Sequence, residues 1–369
     1  MNDKKWPNWL PLRQDLEPLS PYGAPQVPAE ATLNTNENPY APSPALAKAI
    51  ADRIHQVAVN LNRYPDRDAI LLRKSLASFI NNLSTTSFDA DRIWAANGSN
   101  EIIQSLFMAF GDRPALGFTP SYSMHPLIAK VTGVNWNDGG RRKDFSLDLA
   151  KAKADISDIK PALTFLTTPN NPTGTTVTLD EISQLADAAA KVNGLLIVDE
   201  AYAEFSSLPS AVTLIAKYPN LVVIRTMSKA FAFAGARLGY LIADPAVVSA
   251  MFLVRLPYHL SSLTQAAAEV ALEFQSELLG TVAALIDSRK FVASELEKMG
   301  LQVIPSQANF LLFTGFSQEP AQLWRQLLDR GVLIRDVGLL GHLRMTIGIE
   351  AENQKFIAAL KEILNGESQ

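Results

Sequence analysis

The stretch that decides the fold is an apolar run that leads into a lysine: Leu221-Val222-Val223-Ile224-Arg225-Thr226-Met227-Ser228-Lys229-Ala230-Phe231-Ala232. The apolar run predicts a short buried strand. Small residues and a hydroxyl surround Lys229, and Arg237 follows eight positions later. Desolvation and a nearby cation both lower the pKa of a lysine amine, which suits Schiff-base chemistry. A lysine after a strand is also often an ordinary loop residue, so other segments must decide between these interpretations.

Three further segments place polar groups beside predicted strands or at a helix start. Thr168-Pro169-Asn170-Asn171-Pro172-Thr173-Gly174 follows the strand-like run 163–167 and predicts a rigid turn that directs an asparagine at a ligand. The apolar run 195–198 leads directly into Asp199, and ligands bind outside the carboxyl ends of parallel strands. Gly98 and Ser99 open an amphipathic run, where free N–H groups form an anion site. Each segment also has a purely structural interpretation: a plain turn for 168–174, a common strand-end acid for Asp199 and an ordinary N-cap for Gly98 and Ser99.

Changes of pattern along the 369 residues predict an arm and two domains. Residues 1–35 are rich in proline and predict an extended arm. Residues 36–262 predict a large domain, because short apolar runs alternate with helices over 42–59, 68–81 and 182–192, the last after the capping box Thr178-Leu179-Asp180-Glu181. This alternation is typical of a mainly parallel sheet covered on both faces. Residues 263–369 predict a smaller α/β domain with a long helix over 265–299, four strands and a closing helix from Ala351.

Composition narrows the class of protein. Hydrophobic residues make up 47% and charged residues 19%, with a net charge of -4, which indicates a globular protein without a basic surface for nucleic acid or anionic membranes. The absence of cysteine excludes disulfides, cysteine metal sites and thiol nucleophiles. We predict no metal site, no signal peptide, no membrane helix and a cytoplasmic location. We interpret the scattered histidines as structural or solvated: His55, His125, His259 and His342.

In this order, the four segments resemble the fold type I aminotransferases that use pyridoxal phosphate, most closely the histidinol-phosphate aminotransferase family. The resemblance covers nearly the whole chain. It implies a large domain with a mainly parallel, seven-stranded type of sheet, a smaller C-terminal α/β domain and a homodimer. The supporting segments are Leu33-Asn34-Thr35-Asn36-Glu37-Asn38-Pro39-Tyr40, Arg63-Tyr64-Pro65-Asp66, Pro120-Ser121-Tyr122-Ser123-Met124 and Gly341-His342-Leu343-Arg344.

The resemblance also implies roles toward the cofactor, pyridoxal 5'-phosphate. Lys229 would bind it covalently and later move a proton between the substrate carbon and the cofactor. Asp199 would pair with the protonated ring nitrogen, while Asn171 and Tyr202 would donate to the phenolic oxygen. Tyr122 would lie over the ring. The phosphate would be held by Gly98, Ser99, Asn100, Ser228 and Arg237, and by Tyr64 of the neighbouring subunit. The position of Asn100 is often acidic in the family, so the expected binding there is through the backbone.

Three residues are expected at the substrate's anionic group. Arg344 resembles the family arginine that binds it, and Tyr22 and Arg335 would help to hold a phosphate, although a solvated charge is an equal alternative for Arg335. The implied reaction converts L-histidinol phosphate and 2-oxoglutarate to imidazole acetol phosphate and glutamate, in histidine synthesis. The alternatives are an aromatic amino-acid aminotransferase, a phosphothreonine-type decarboxylase and a regulatory protein that senses the cofactor. Residues 1–35 resemble no DNA-binding module, which disfavours the last.

Overall fold

The computed structural model describes residues 6–366 of the chain. In this part of the protein the strands, β1 to β12 in chain order, are Ala31–Thr32, Ile93–Ala96, Ala115–Gly117, Trp136–Asp138, Leu163–Thr167, Leu195–Asp199, Leu221–Thr226, Gly239–Ile242, Gln302–Val303, Phe310–Thr314, Val332–Leu333 and Leu343–Thr346. The α-helices, α1 to α11, are Pro44–Ala58, Ile70–Ser84, Ser99–Phe110, Met124–Thr132, Leu149–Ile159, Leu179–Lys191, Pro245–Val254, Ser262–Glu273, Gln275–Lys298, Pro320–Asp329 and Glu350–Gly366.

A seven-stranded sheet lies at the centre, with its strands in the order β2-β8-β7-β6-β5-β3-β4. Only β8 runs antiparallel to its neighbours in this sheet. The prediction of a mainly parallel seven-stranded sheet in an α/β fold is therefore confirmed. Strands β5, β6 and β7 are direct neighbours, so the loops that follow them meet at one edge, outside the carboxyl ends of the strands.

Apolar side chains on both faces of the sheet explain why its strands are continuous hydrophobic runs. On β7, Val222 and Ile224 belong to one buried cluster, which also contains Ile103 and Val248 from helices α3 and α7. Leu221 and Val223, which alternate with them, belong to the cluster on the opposite face. Successive strand side chains point to opposite faces, so a strand buried on both sides needs apolar residues at every position.

The helix predicted over 182–192 is α6, which begins three residues earlier, at Leu179. In the C-terminal part the sequence analysis gave two helices too few, because it joined α8 and α9 and did not predict α10. The capping box is present: Thr178 accepts from the backbone of Glu181, whose side chain accepts in return. The predicted long helix over 265–299 is instead two helices, α8 and α9, separated at Phe274, where ψ is 18°. Phe274 leaves helical geometry and packs its ring against the core, and the segment contains no proline to indicate the break.

Two small sheets accompany the C-terminal part of the chain. Strand β10 pairs antiparallel with both β9 and β12. Strand β11 pairs instead with β1, in parallel, and thereby joins the end of the N-terminal arm to the C-terminal segment. We retain 1–35, 36–262 and 263–369 as a proposed division, of which residues 1–5 and 367–369 lie outside the described residues. Within 6–366 no helix is long and apolar enough to cross a membrane.

Candidate active site

A cavity of about 330 Å³ lies where the loops after β5, β6 and β7 meet, and we call it the pocket. It brings together most of the predicted site residues, which are far apart in sequence. Those that line it are Tyr22, Ser99, Asn100, Tyr122, Asn171, Asp199, Tyr202, Ser228, Lys229, Arg237, Arg335 and Arg344. Gly98 adjoins it as the residue before Ser99, whereas Tyr64 does not line it.

One end of the pocket is formed by the start of α3. Gly98 precedes the helix with a φ of 82°, which favours glycine, and offers no side-chain cap to the first N–H groups. A Cβ added to Gly98 would lie 2.7 Å from the Arg237 guanidinium, so the glycine lets the arginine approach. Nη1 of Arg237 donates to Ser228 Oγ at 3.4 Å. Backbone N–H groups, a hydroxyl and a guanidinium together form a donor set that fits a phosphate group.

Lys229 lines the pocket, and its amine is directed at the N-terminal segment. Nζ donates to the backbone oxygen of Thr35 at 2.9 Å. Burial is the largest effect on the pKa of Lys229, and together with the nearby Arg344 and Arg237 guanidinium groups, and against an opposing effect of Glu37, it lowers this pKa to about 8. The neutral, nucleophilic form of the amine is therefore much more populated near neutral pH than in an ordinary lysine.

Asp199 ends β6 and is only 2% exposed. Its Oδ1 accepts from the N–H of Ala201 at 3.1 Å, and its Oδ2 lies 3.1 Å from Nε2 of His125. The imidazole can donate to this carboxylate oxygen when its Nε2 carries a hydrogen. The sequence analysis set His125 aside as structural or solvated; the structure buries it against Asp199. Its position three residues after Tyr122, at the start of a helix, was the available signal.

Asn171, Tyr202 and Arg344 form a hydrogen-bonded group on the side of the pocket facing β12. Nη1 of Arg344 donates to Asn171 Oδ1 at 2.6 Å, and Asn171 Nδ2 lies 3.5 Å from the Tyr202 hydroxyl. Burial raises the pKa of Tyr202 to about 12, which keeps its hydroxyl protonated and able to donate. Asn36 also donates to this hydroxyl at 2.9 Å, a contact that the sequence analysis missed.

Arg344 is a buried cation without an acid to neutralise it. It is 6% exposed, its Nη2 donates to the backbone oxygen of Asn34 at 2.8 Å, and its Nε has no partner. Within residues 6–366 no carboxylate forms an ion pair with it, and burial lowers its pKa to about 10. The backbone of Arg335 pairs with that of Arg344, and both side chains line the pocket with Tyr22. A buried guanidinium of this kind favours an anionic ligand.

Two tyrosines take different positions. Tyr122 lines the pocket and its hydroxyl donates to Asn100 Oδ1 at 3.1 Å, so the side chain of Asn100 has a partner that the sequence did not indicate. Tyr64 is 79% exposed and stacks on Tyr258, with their ring centroids 4.4 Å apart. Tyr64 therefore does not line the pocket of its own chain.

The fold and pocket define an enzyme of the fold type I, pyridoxal-phosphate-dependent class. The sheet presents a lysine, an acid and an anion-binding helix start at the carboxyl ends of its strands. The chain belongs to the aminotransferase class I and II family, whose model matches residues 30–360. Among residues 6–366 no cluster of side chains could hold a metal ion.

Comparison with individual proteins gives closer relatives. The chain is 54% identical to the histidinol-phosphate aminotransferase of Mycolicibacterium smegmatis, over 98% of this chain and 95% of the relative. Among solved structures it resembles the histidinol-phosphate aminotransferase of Clostridium acetobutylicum, with a TM-score of 0.81 and 27% identity over 90% of this chain and 98% of the other. It also resembles that of Sinorhizobium meliloti in complex with pyridoxal-5'-phosphate, with a TM-score of 0.80 and 25% identity over 92% of each chain.

Proposed function

We propose that the protein transfers the amino group of L-histidinol phosphate to 2-oxoglutarate, with pyridoxal phosphate as cofactor, and so acts in histidine synthesis. The relatives named above support this substrate. The observation that carries the proposal is the buried, unneutralised Arg344 beside Arg335 and Tyr22, across the pocket from the phosphate-type donor set of α3. One anion site suits the cofactor phosphate, and the other suits an anionic group on the substrate.

The residues divide into those that hold the cofactor and those that act on the substrate. When bound, pyridoxal phosphate supplies an aldehyde carbon and a cationic ring that accepts electrons from the substrate carbon. We assign its phosphate to the start of α3, Ser228 and Arg237, its ring nitrogen to Asp199, and its phenolic oxygen to Asn171 and Tyr202. Tyr122 covers the ring.

Lys229 performs the acid-base step. Its desolvated amine would take a proton from the substrate's amino-bearing carbon and deliver it two atoms away, on the far side of the amino nitrogen, to the carbon that the cofactor supplies as its aldehyde. Arg344, Arg335 and Tyr22 hold the anionic end of the substrate and fix the orientation of that carbon. Since the same cofactor carries the amino group between two half-reactions, we expect ping-pong kinetics.

Arg335 should decide between histidinol phosphate and an aromatic amino acid. A dianionic phosphate gains charge-assisted bonds from two arginines and a tyrosine that one carboxylate only partly matches, each worth roughly 1.5–3 kcal/mol. We therefore expect kcat/KM for histidinol phosphate to exceed that for phenylalanine or tyrosine by at least about 100-fold. Arg335→Ala should shrink this ratio more than it slows the half-reaction with glutamate. Stopped-flow measurement of each half-reaction, amine by amine, checks both expectations.

Arg335→Lys is the matched control, because it keeps the charge but loses the planar fork, and it should give an intermediate ratio. Equal or better use of phenylalanine by the unchanged protein would favour the aromatic aminotransferase alternative. Release of carbon dioxide with a phosphorylated amino-acid substrate would favour the decarboxylase. An unchanged ratio in Arg335→Ala would make Arg335 a solvated charge.

We also propose a cytoplasmic homodimer. Exposed apolar side chains flank the Tyr64–Tyr258 stack in segments 61–71 and 253–258. Arg255 joins the two segments, because it donates to the backbone oxygen of Arg67 at 2.7 Å. The large exposed hydrophobic side chains of segments 61–71 and 253–258 are Leu61, Tyr64, Ile70, Leu71, Leu253, Leu256 and Tyr258. A clustered apolar surface of this kind is typical of a protein interface. A partner chain on this surface would contact Tyr64. Such a contact is required if Tyr64 holds the cofactor phosphate in the pocket of that partner.

Mixed dimers should show that each pocket is completed by the partner chain. Lys229→Ala subunits and Tyr64→Ala subunits are each expected to be inactive or crippled alone. If each site is built from two chains, every mixed dimer formed by subunit exchange contains one pocket in which both Lys229 and Tyr64 are intact. Random 1:1 assembly then gives about a quarter of wild-type activity, since half of the dimers are mixed and half of their sites are intact. Subunit exchange is verified by native mass spectrometry; exchange without recovered activity would contradict the shared site.

A further inference from the structure

We propose that Thr346 and Asn36 are positioning residues that fix the direction of the Tyr202 hydroxyl, so that it donates into the pocket. Both are buried, with exposed fractions of 3% and 1%. Thr346 does not line the pocket, and it reaches Tyr202 only through Asn36. The inference deepens the proposed function, because it rests on the role given there to Tyr202.

The chain of hydrogen bonds begins at a group whose direction cannot change. The backbone N–H of Asn36 donates to Thr346 Oγ1 at 3.0 Å. The Thr346 hydroxyl lies 3.0 Å from Asn36 Oδ1, and its single hydrogen is donated there. The amide oxygen of Asn36 is therefore engaged by Thr346, and the amide nitrogen must face the other way.

The amide nitrogen of Asn36 faces Tyr202. Its Nδ2 donates to the Tyr202 hydroxyl oxygen at 2.9 Å, and an amide nitrogen cannot accept in return. Asn171 is constrained in the same manner, because its Oδ1 accepts from Arg344, which has no acceptor, and this leaves Nδ2 toward Tyr202. Two donors thus occupy the acceptor side of the hydroxyl. Its own hydrogen is left to point into the pocket, where we place the phenolic oxygen of the cofactor.

The backbone around Asn36 is shaped for this task. Asn36 has a φ of 57°, in the left-handed region that asparagine tolerates better than most residues. Asn309 Nδ2 donates to its backbone oxygen at 3.1 Å and helps to hold that conformation. The two preceding residues also contact pocket groups, since Asn34 accepts from Arg344 and Thr35 accepts from Lys229. Segment 34–36 therefore contacts three functional side chains at once: Arg344, Lys229 and Tyr202.

The test measures the pH midpoint at which the visible absorption of protein-bound pyridoxal phosphate changes. A hydrogen bond donated to the ring oxygen stabilises its negative form and lowers this midpoint. Tyr202→Phe removes the bond and should raise the midpoint by about one pH unit, a tenfold change in the ionisation constant. Thr346→Val frees the Asn36 amide to turn its oxygen toward Tyr202 and accept its hydrogen, so it should reproduce at least about half of that shift. Thr346→Ser, which keeps the hydroxyl, should retain the wild-type midpoint.

Double variants decide whether the effect passes through Tyr202. In the Tyr202→Phe background, Thr346→Val should add no further shift. Equal midpoints for Thr346→Val and Thr346→Ser would overturn the proposal, as would a Thr346→Val shift of the same size in both backgrounds. If the single variant Tyr202→Phe keeps the wild-type midpoint, both this proposal and the role assigned to Tyr202 are overturned.

Asn36→Asp gives an independent test if Thr346→Val folds poorly. The new carboxylate keeps the shape and can still accept from Thr346, but it accepts from Tyr202 instead of donating to it. Its added charge acts in both backgrounds, so the expected result is a larger upward shift with Tyr202 present than in the Tyr202→Phe background. Equal shifts would overturn the proposal. The substrate measurements described above report separately on histidinol phosphate, so a failure of one proposal is distinguishable from a failure of the other.

Discussion

Replacing Lys229 by alanine should lower kcat by at least ~1,000-fold while cofactor binding remains measurable. A positioned acid-base group contributes ~10²–10⁴-fold to a rate, and Lys229 also provides the nucleophilic amine. Its neighbours in the pocket, including Asp199, Ser228 and Arg237, are unchanged by the substitution and would still hold the cofactor in the proposed arrangement. Single-turnover kinetics with histidinol phosphate measure the rate, and equilibrium dialysis measures the retained pyridoxal phosphate.

Three controls make the Lys229 experiment specific. Lys290→Ala removes a lysine whose side chain is 69% exposed and should leave kcat unchanged. A small primary amine added to the Lys229→Ala protein should restore part of the rate, because it can take the proton in place of the missing side chain. Borohydride reduction of the wild-type protein should fix the cofactor on the peptide containing Lys229. A label on another lysine would show the assignment to be wrong.

Asp199→Ala should slow the half-reaction by ~10²–10³-fold and weaken cofactor binding. Removing one preorganised electrostatic group from an active site costs about that much. Asp199 is the buried carboxylate at the end of β6, and it holds the charge that would keep the ring nitrogen protonated. Its loss also leaves Nε2 of His125 buried without its partner. Stopped-flow absorbance gives the rate, and titration with pyridoxal phosphate gives the affinity.

Asp199→Asn separates charge from shape. The amide keeps the size of the side chain but loses the charge, so the rate should remain close to that of Asp199→Ala if the charge is what matters. Asp187→Ala is the matched control, because Asp187 is an exposed acid on helix α6 and should have no effect. Near-normal turnover in Asp199→Ala would remove Asp199 from the mechanism.

Local hydrophobic patterns in the sequence were sufficient to predict the strands that are buried on both faces. The apolar runs at 163–167, 195–198 and 221–224 are strands β5, β6 and β7, with ends that differ from the prediction by no more than two residues. The capping box indicated the helix α6 because its hydrogen bonds join residues three positions apart, although the helix begins at Leu179 and not at Ile182 as predicted. The polar residues at the strand ends could be grouped into one site, since the carboxyl ends of parallel strands meet at one edge.

Elements that depend on distant partners were not predictable in this way. Strand β1 has two residues and forms only because β11, some 300 positions later, pairs with it. The break at Phe274 follows from packing against the core, with no proline in the sequence to mark it. In each case the deciding contact lies outside any window over which a periodicity can be read.

The sequence by itself determined the fold class through local hydrophobic runs and turn residues, and its resemblance to a known family indicated the segments that line the pocket and the lysine among them. Only the tertiary structure decided how the polar groups orient one another. Two examples are contacts between residues separated by 74 to 310 positions: His125 with Asp199, and Thr346 with Tyr202 through Asn36. A third example is Arg344, which has no acid as a partner among residues 6–366. Hydrogen bonds act over about 3 Å and require a defined direction, so the folded chain alone fixes which partners meet and which atom donates.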